Sequence, residues 1–362
     1  MSPAALILAA GFSSRMGKFK PLLPLGNTTV LGQVVESLGR AGIKEICMVA
    51  GHRAPEVLNA AQSLGVTGVE NKAFEQGMFS SIQAGCRALP PGISRFLLWP
   101  VDIPLIRSQT VTALMDAWES RKSNTRVIYP AYQGERGHPP VISADLIPDI
   151  LNYSGPGGMR ALLDQVEQKA CDLAVWDRLI LEDMDTPAAY ERIRRAREGW
   201  DLPGPGEAEA LMTQVLNLNP GLRAHGRAVA GVALELTRAL NDKGHDLNLD
   251  LVHGAALLHD LAKGEPNHEA RGAEVLNRLG LPRLGEVVAA HKELVPTAGS
   301  VTEAEVVCLA DKLVRGDRRV DLDERFRARL EEFKEDAAAC TAVRRRWERA
   351  RALADKIKRA LA

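Results

Sequence analysis

The sequence is poor in the features that mark secreted, membrane-bound or nucleic-acid-binding proteins. Its 362 residues include five cysteines, Cys47, Cys86, Cys171, Cys308 and Cys340. They are odd in number and lack close paired spacing, which excludes a disulfide framework or a zinc knuckle and suits free thiols in a reducing compartment. There is no excess of either charge: 46 Lys plus Arg stand against 46 Asp plus Glu. That argues against a nucleic-acid surface as the main business of the chain. Long hydrophobic runs are missing too. The opening MSPAALILAAG has no basic leader region, and neither it nor any later segment approaches the ~20 apolar residues of a membrane span. A cytoplasmic protein without membrane or nucleic-acid partners is expected.

Two common phosphate-binding motifs are also missing. Gly17-Lys18 is followed by Phe19, where a P-loop needs Ser or Thr. Gly11 is followed by Phe12 and Ser13, which breaks the G-x-G-x-x-G of dinucleotide-binding folds. What is present instead is Leu8 to Gly26, LAAGFSSRMGKFKPLLPLG, directly after a short apolar run, Ala4 to Leu8. Glycines let the backbone approach a ligand closely, exposed N–H groups can face anionic oxygens, and Arg15 and Lys20 add fixed positive charge. A buried strand leading into a basic Gly/Ser loop points to a phosphate site.

From there strand-like and helix-like stretches alternate. Strands are predicted at Ala4–Leu8, Glu45–Ala50, Val66–Val69, Phe96–Pro100 and Arg126–Tyr129. Helices are predicted at Val30–Ala41, from Ala54, at Ser80–Leu89 and at Gln109–Arg121. This rhythm predicts an α/β domain with a mostly parallel sheet, helices on both faces, and ligands beyond the carboxyl ends of the strands. Asp102, in WPVDIPL, leaves one such strand. It suits either Mg²⁺ ligation on phosphate oxygens or a capping turn. Near residue 199 the alternation stops. The stretch Gly199–Gly206, GWDLPGPG, reads as a linker between a first domain, 1–198, and a second, 207–362. In the second domain amphipathic helices are predicted at Leu211–Leu218, Ala224–Leu240, Leu249–Ala262, Glu269–Leu279, Leu284–His291, Glu303–Val314 and Asp323–Leu361, the last with a break. Within it, His259 and Asp260 lie side by side in an apolar helix. Both are costly to bury alone, and a metal resolves the cost for both.

The first motif, L-A-A-G-x-S-x-R-M-G-x-x-K-x-L-L-P, resembles the nucleotidyltransferase signature of molybdenum cofactor cytidylyltransferases and their guanylyl relatives. The resemblance implies a Rossmann-like domain that transfers CMP from CTP to the phosphate of molybdopterin and releases pyrophosphate. Leu8, Ala9, Ala10, Gly11, Ser13, Arg15 and Lys20 would bind nucleotide, with Arg15 on the β- and γ-phosphates and Lys20 near the α-phosphate. Asn71 and Ser81, in NKAFEQGMFSSIQAG, would line the nucleotide pocket. Asp102 and Asp185, in VDIPL and DMDTP, would hold Mg²⁺, with Arg15, Lys20 and Asp102 as the catalytic set. His138 of GHP, with Gly158 and Arg160 of GPGGMR, would face the acceptor. The guanylyl relatives tend to have Gly-Gly at Ala10-Gly11, so Ala10 favours CTP over GTP. Pro156 stands where the family usually has an acidic residue, which leaves a sugar or polyol phosphate open as the acceptor. The candidate partner is a molybdoenzyme or its insertion chaperone.

The second domain resembles the HD phosphohydrolase superfamily through the order His225, His259-Asp260, Asp311. Asp260 would bridge or ligate, and His268 and His291 match the extra histidines of binuclear members. One or two divalent metals such as Fe, Mn or Mg suit six N and O ligands. The activity implied is hydrolysis of phosphate esters or anhydrides, and the alternative is a nucleotide sensor without hydrolysis. Lys263 is either a phosphate contact or a cation matched to a helix C-terminus. His52, His245 and His253 read as solvated or capping residues.

Overall fold

The computed structural model describes residues 2–292 and 294–362. The chain divides into two compact units, Met1–Trp200 and Asp201–Ala362.

The first unit begins with β1 (Pro3–Ala9), the small hairpin β2 (Pro24–Leu25) and β3 (Thr28–Thr29), and α1 (Val30–Arg40). It continues through β4 (Glu45–Ala50), α2 (Ala54–Ser63), β5 (Thr67–Glu70), α3 (Met78–Ala88), β6 (Arg95–Pro100) and α4 (Ser108–Glu119). The remainder is β7 (Val127–Tyr132), β8 (Glu135–Arg136), β9 (Val141–Ser143), α5 (Ile147–Asn152), α6 (Gly158–Asp164), β10 (Ala170–Ala174) and α7 (Pro187–Glu198). Strand order in the sheet is β10-β7-β9-β6-β1-β4-β5, with β8 beside β7. β1 lies between β4 and β6, parallel to both, with Leu8 opposite Val49 and Pro100. Its residues 4–9 are all buried, so both faces of the strand are covered, as a parallel α/β sheet requires. Leu6, Leu8, Cys47 and Val49 share a core with Ile82 and Cys86 of α3 and with Ile150 and Leu162 of α5 and α6.

The α/β expectation holds, with additions. β9 runs antiparallel to both β6 and β7, and β10 extends the sheet at its edge. Neither was foreseen. β9 is three residues long, too short for a two-residue period to register, and β10 is half exposed.

The second unit is helical: α8 (Pro205–Ala210), α9 (Pro220–Asp242), α10 (Leu249–Leu258), α11 (His268–Arg278), α12 (Pro282–Ala290), α13 (Glu303–Lys312), the two-residue hairpin strands β11 (Val314–Arg315) and β12 (Arg318–Arg319), α14 (Leu322–Glu332) and α15 (Ala337–Leu361). α8 starts two residues before the expected Glu207 because Pro205 takes the first helical position, where its missing N–H costs nothing. The expected helix Leu249–Ala262 stops at Leu258 and continues as turns, which frees His259 and Asp260 from a regular helix face. The break in the last expected helix falls at residues 333–336, where Asp336 caps α15. α10 is buried on nearly every side and forms the centre of this unit. α9 can approach it closely because residue 226 is glycine: a Cβ there would lie 2.5 Å from the Leu257 carbonyl oxygen. Among the described residues no helix is long and apolar enough to cross a membrane.

Candidate functional sites

In the first unit the carboxyl ends of β1, β4, β5 and β6 deliver Gly11, His52, Asn71 and Asp102 to one edge of the sheet. A cleft of about 480 Å³ opens there, lined by residues 8–13 of the loop, Lys20, Ser81, Asp102 and His138, with Phe12, Phe74 and Met78 on its apolar side. The loop after β1 turns sharply: Ser13 and Gly17 are both left-handed, at φ 55° and 65°. The Ser13 hydroxyl accepts from the Lys20 backbone N–H at 3.2 Å, which closes the loop and fixes where Lys20 enters.

The Lys20 side chain is buried, so its ammonium needs anionic partners. It finds them in Asp185, to which it hydrogen-bonds, and in Asp102 at 3.5 Å. Arg15, three-quarters exposed, reaches the other Asp185 oxygen at 2.5 Å. The Lys20 hydrogen bond holds the Asp185 carboxyl below its ordinary pKa against the opposing effect of burial. The Met184 N–H donates to the Asp102 carbonyl at 2.9 Å, tying the 183–185 turn to the β6 end. Residues far apart in sequence therefore form a cluster of two carboxylates and two cations at the cleft. Lys20 lies against the carboxylates, where the resemblance had placed it near an α-phosphate.

Asn71 and Ser81 come together but bond mainly to each other. Asn71 Nδ2 donates to the Ser80 and Ser81 hydroxyls at 2.9 and 3.0 Å, and its Oδ1 accepts from Ala73 N–H at 3.0 Å. Ser81 lines the cleft, whereas Asn71 braces the turn before α3. Of the acceptor set, His138 lines the cleft. Its Nδ1 is buried without a hydrogen-bond partner, and burial lowers its pKa, so the imidazole is neutral at neutral pH. Gly158 starts α6 at φ 56°, with the space for a Cβ bounded by Phe79 at 3.2 Å, and Arg160 is exposed. Among the described residues, neither Gly158 nor Arg160 borders the cleft. His52 is not a solvated or capping residue: its ring lies 5.3 Å from Phe12, 5.9 Å from Phe19 and 6.5 Å from Phe74. This aromatic group at the cleft escaped sequence reasoning because Phe12, His52 and Phe74 come from three separate loops and share no local pattern.

In the second unit six side chains from separate helix ends converge. His225 sits in α9 beside Gly226, His259 ends α10, His268 opens α11, His291 ends α12 and Asp311 lies in α13. Asp260 occupies the middle. Its Oδ2 is 3.7 Å from His225 Nε2 and 3.5 Å from His259 Nε2, and its Oδ1 is 3.5 Å from His268 Nε2 and 3.8 Å from His291 Nε2. Asp311 Oδ1 is 3.4 Å from His225 and 3.7 Å from His259. Donor atoms each ~2.1 Å from one cation stand roughly 3–4 Å apart, so this spacing suits metal ligation. Two overlapping ligand groups result, His225–His259–Asp260 and Asp260–His268–His291, sharing Asp260.

The donors are also oriented. Nδ1 of His225, His259 and His291 lies 2.7, 2.8 and 2.6 Å from the carbonyls of Gly316, Ala256 and Val288, which leaves each Nε2 to point inward. His259 Nε2 is buried and has no hydrogen-bond partner. An orphaned imidazole nitrogen among carboxylates fits a divalent cation. Burial disfavours the His259 cation, but Asp260 and Asp311 outweigh it and push its pKa up to about 9. Burial, with the nearby His259 charge, pushes His291 down to about 4. Lys263 Nζ is 2.6 Å from Asp260 Oδ2, and Lys312 Nζ is 2.6 Å from Asp311 Oδ2. Lys312 was missed, although its place directly after Asp311 was a usable signal. Arg325, which donates to the Asp311 and Val314 carbonyls, lies on another helix and had none.

A family model described as the MobA-like NTP transferase domain matches residues 5–170, and one described as the HD domain matches residues 223–316. The chain is 27% identical over 183 residues to the molybdenum cofactor cytidylyltransferase of Escherichia coli (strain K12), an alignment covering 50% of this chain and 90% of that one. It is 31% identical over 199 residues to nicotine blue oxidoreductase of Paenarthrobacter nicotinovorans, covering 52% of this chain and 94% of the relative. Among solved structures, a nucleotidyl transferase from Methanothermobacter thermautotroptrophicus superposes with a TM-score of 0.48 at 27% identity, covering 55% of this chain and 98% of that one. The chain belongs to the MobA-like NTP transferase family and carries an HD domain in its second unit.

Proposed function

We propose that the protein is a bifunctional enzyme: its first unit transfers CMP from CTP to the phosphate of molybdopterin, and its second unit is a metal-dependent phosphohydrolase. The observation that carries the first assignment is the Lys20–Asp102–Asp185–Arg15 cluster at the mouth of a glycine-loop cleft. Family membership alone does not choose the chemistry, since one relative bears an oxidoreductase's name and another a cytidylyltransferase's. Opposed carboxylates and cations beside exposed loop N–H groups are suited to handling phosphates.

Nucleotidyl transfer needs no protein nucleophile. An acceptor phosphate oxygen bonds to the α-phosphorus, the bond from that phosphorus to the bridging oxygen breaks, and pyrophosphate leaves in line. The protein's contribution is positioning and charge. The loop backbone from Ala10 to Ser13 cradles the phosphates. Arg15, exposed and mobile about its long stem, reaches the β- and γ-phosphates. Lys20 stands beside Asp102 and Asp185. Those two carboxylates would hold Mg²⁺, which when bound neutralises phosphate charge. Neutral His138 faces the acceptor as a hydrogen-bonding partner. Ala10 lines the cleft and favours CTP.

In the second unit the six His and Asp side chains would hold two divalent cations, which supply an activated water and neutralise phosphate. Asp260 joins the two groups, and Lys263 is placed to meet a substrate phosphate.

The test is pyrophosphate release with CTP, GTP, ATP or UTP, Mg²⁺ and molybdopterin, with Asp102→Ala alongside. Release with CTP alone, lost in the variant, is the expected result. Release only with a sugar or polyol phosphate as acceptor would replace molybdopterin, the alternative that Pro156 keeps open. No release with any nucleotide and acceptor from folded protein overturns the transferase assignment. For the second unit, hydrolysis of p-nitrophenyl phosphate with Mn²⁺, lost in Asp260→Ala, is expected. Metal binding without hydrolysis of any phosphate ester would leave it a sensor.

A further inference from the structure

Beside the metal-type cluster of the second unit lies a second cleft, also about 480 Å³, which His225 and Asp311 border on one side. Its other walls carry Lys263, Arg315, Arg325 and Arg329. Asp311 is the one carboxylate among these lining residues, and its Oδ2 is already matched by Lys312 at 2.6 Å. The cleft is therefore strongly cationic, and a concave wall concentrates that field.

The arginines come from two elements that the fold brings to one place. Arg315 sits on the β11–β12 hairpin, and Arg325 and Arg329 sit on α14, one turn apart. The hairpin is anchored to the cluster itself, because the Gly316 carbonyl lies 2.7 Å from His225 Nδ1. Arg325 is held by hydrogen bonds from Nη1 to the Asp311 and Val314 carbonyls, and its Nη2 is 4.0 Å from Asp311 Oδ1. Arg329 is shared with Glu332 at 3.0 Å, and Arg315 has no ion-pair or hydrogen-bond partner among the described residues. Lys263 is already bonded to Asp260 at 2.6 Å and faces the scissile position.

A single phosphate at a metal pair needs few further cations. Three additional guanidiniums exceed that need, and their planar forks match phosphate oxygens in pairs. We infer that the second unit acts on a phosphate ester bearing a second, non-scissile phosphoryl group, which Arg315, Arg325 and Arg329 hold while the first lies at the His/Asp cluster. This rests on the hydrolase assignment and adds the substrate class. In the reaction, water oxygen bonds to the scissile phosphorus, the bond to the leaving oxygen breaks, and a water proton ends on that oxygen. The second phosphoryl group stays unchanged on the leaving half.

The experiment uses the full chain loaded with Mn²⁺ and compares adenosine 3′,5′-bisphosphate and ADP with adenosine 5′-monophosphate and p-nitrophenyl phosphate. At least one two-phosphate substrate should exceed the single-phosphate ones in kcat/KM by roughly tenfold, the worth of one charge-assisted hydrogen bond. Arg315→Ala/Arg329→Ala, at two exposed positions, should erase that preference. A calorimetric titration of adenosine 3′,5′-bisphosphate into chelator-treated protein gives a readout independent of turnover. A binding component tighter than that for the monophosphate should be present in the wild type and missing from the double variant. Equal kcat/KM for all substrates with identical calorimetry in both proteins overturns the inference. If no ester is hydrolysed at all, the hydrolase assignment fails, and the calorimetric comparison still decides whether the arginine cleft selects two phosphates.

Discussion

Lys20 shows how one side chain can carry opposing demands. Buried and cationic, it is neutralised by Asp102 and Asp185, the same carboxylates proposed to take Mg²⁺. Ammonium and divalent cation then compete for one pair of oxygens. Lys20→Met should lower kcat by ~10²–10³, the usual loss when a charge-stabilising donor is removed. The same substitution should tighten the apparent Mg²⁺ requirement, because the competitor has gone. A Mg²⁺ titration of pyrophosphate release in both proteins checks this, and weaker Mg²⁺ dependence in the variant would contradict it. Lys20 and Asp102 were legible in sequence because each sits in a dense local motif. The Lys20–Asp185 contact was not, since it joins residues 165 positions apart. Asn71 shows the reverse: a residue chosen by motif spends its hydrogen bonds on Ser80, Ser81 and Ala73.

At the scale of elements, two ion-pair devices hold the last helix. Lys356 of α15 bonds both oxygens of Glu305 at 2.7 Å and also reaches the Thr297 and Ser300 carbonyls at 3.0 and 3.1 Å. Glu305, almost fully buried, in turn accepts from the Thr302 and Thr297 N–H groups and so caps α13. Lys356→Met leaves that carboxylate buried without its counterion and should destabilise by about 3–5 kcal/mol. Adding Glu305→Gln should recover a large part of the loss, as read from denaturant midpoints. The second device joins α14 to α15: Asp323 accepts from Trp347 Nε1 and Arg351 Nε, both at 2.8 Å. The Arg351 and Trp347 hydrogen bonds lower the Asp323 pKa from 3.8 to about 2. A depressed carboxyl stabilises the fold above its ordinary pKa and loses that contribution as pH falls through the folded value. The stability difference between wild type and Asp323→Asn should therefore be constant above about pH 4 and vanish as pH falls to about 2. An acid titration of the unfolding midpoint measures it. Helical periodicity made α9, α12 and α13 visible in sequence, but β9 and β10 carried too little pattern to be seen.

Across the whole molecule, the two units pair an α/β sheet with a helical bundle, and each places its chemistry where chain ends converge. Strand ends build the first cleft, and helix ends build the His/Asp cluster. A cation that binds the folded cluster and not the unfolded chain raises stability by mass action, ~2.7 kcal/mol at a hundred times its dissociation constant. Mn²⁺ should raise the thermal midpoint of the wild type and a chelator should reverse it, while Asp260→Ala should show neither effect. An equal shift in that variant would place the metal elsewhere.

The sequence by itself determined the two fold classes and the positions of the chemical residues, because buried strands, amphipathic helices and short motifs are local patterns of polarity and spacing. Only the tertiary structure decided which residues meet: Lys20 with Asp102 and Asp185, His225 with the Gly316 carbonyl, Arg315 with Arg325 at one cleft. Such contacts depend on how strands and helices pack. Packing is set by shape over the whole of a core, as where Gly226 admits the Leu257 carbonyl, and no window of neighbouring residues contains that information.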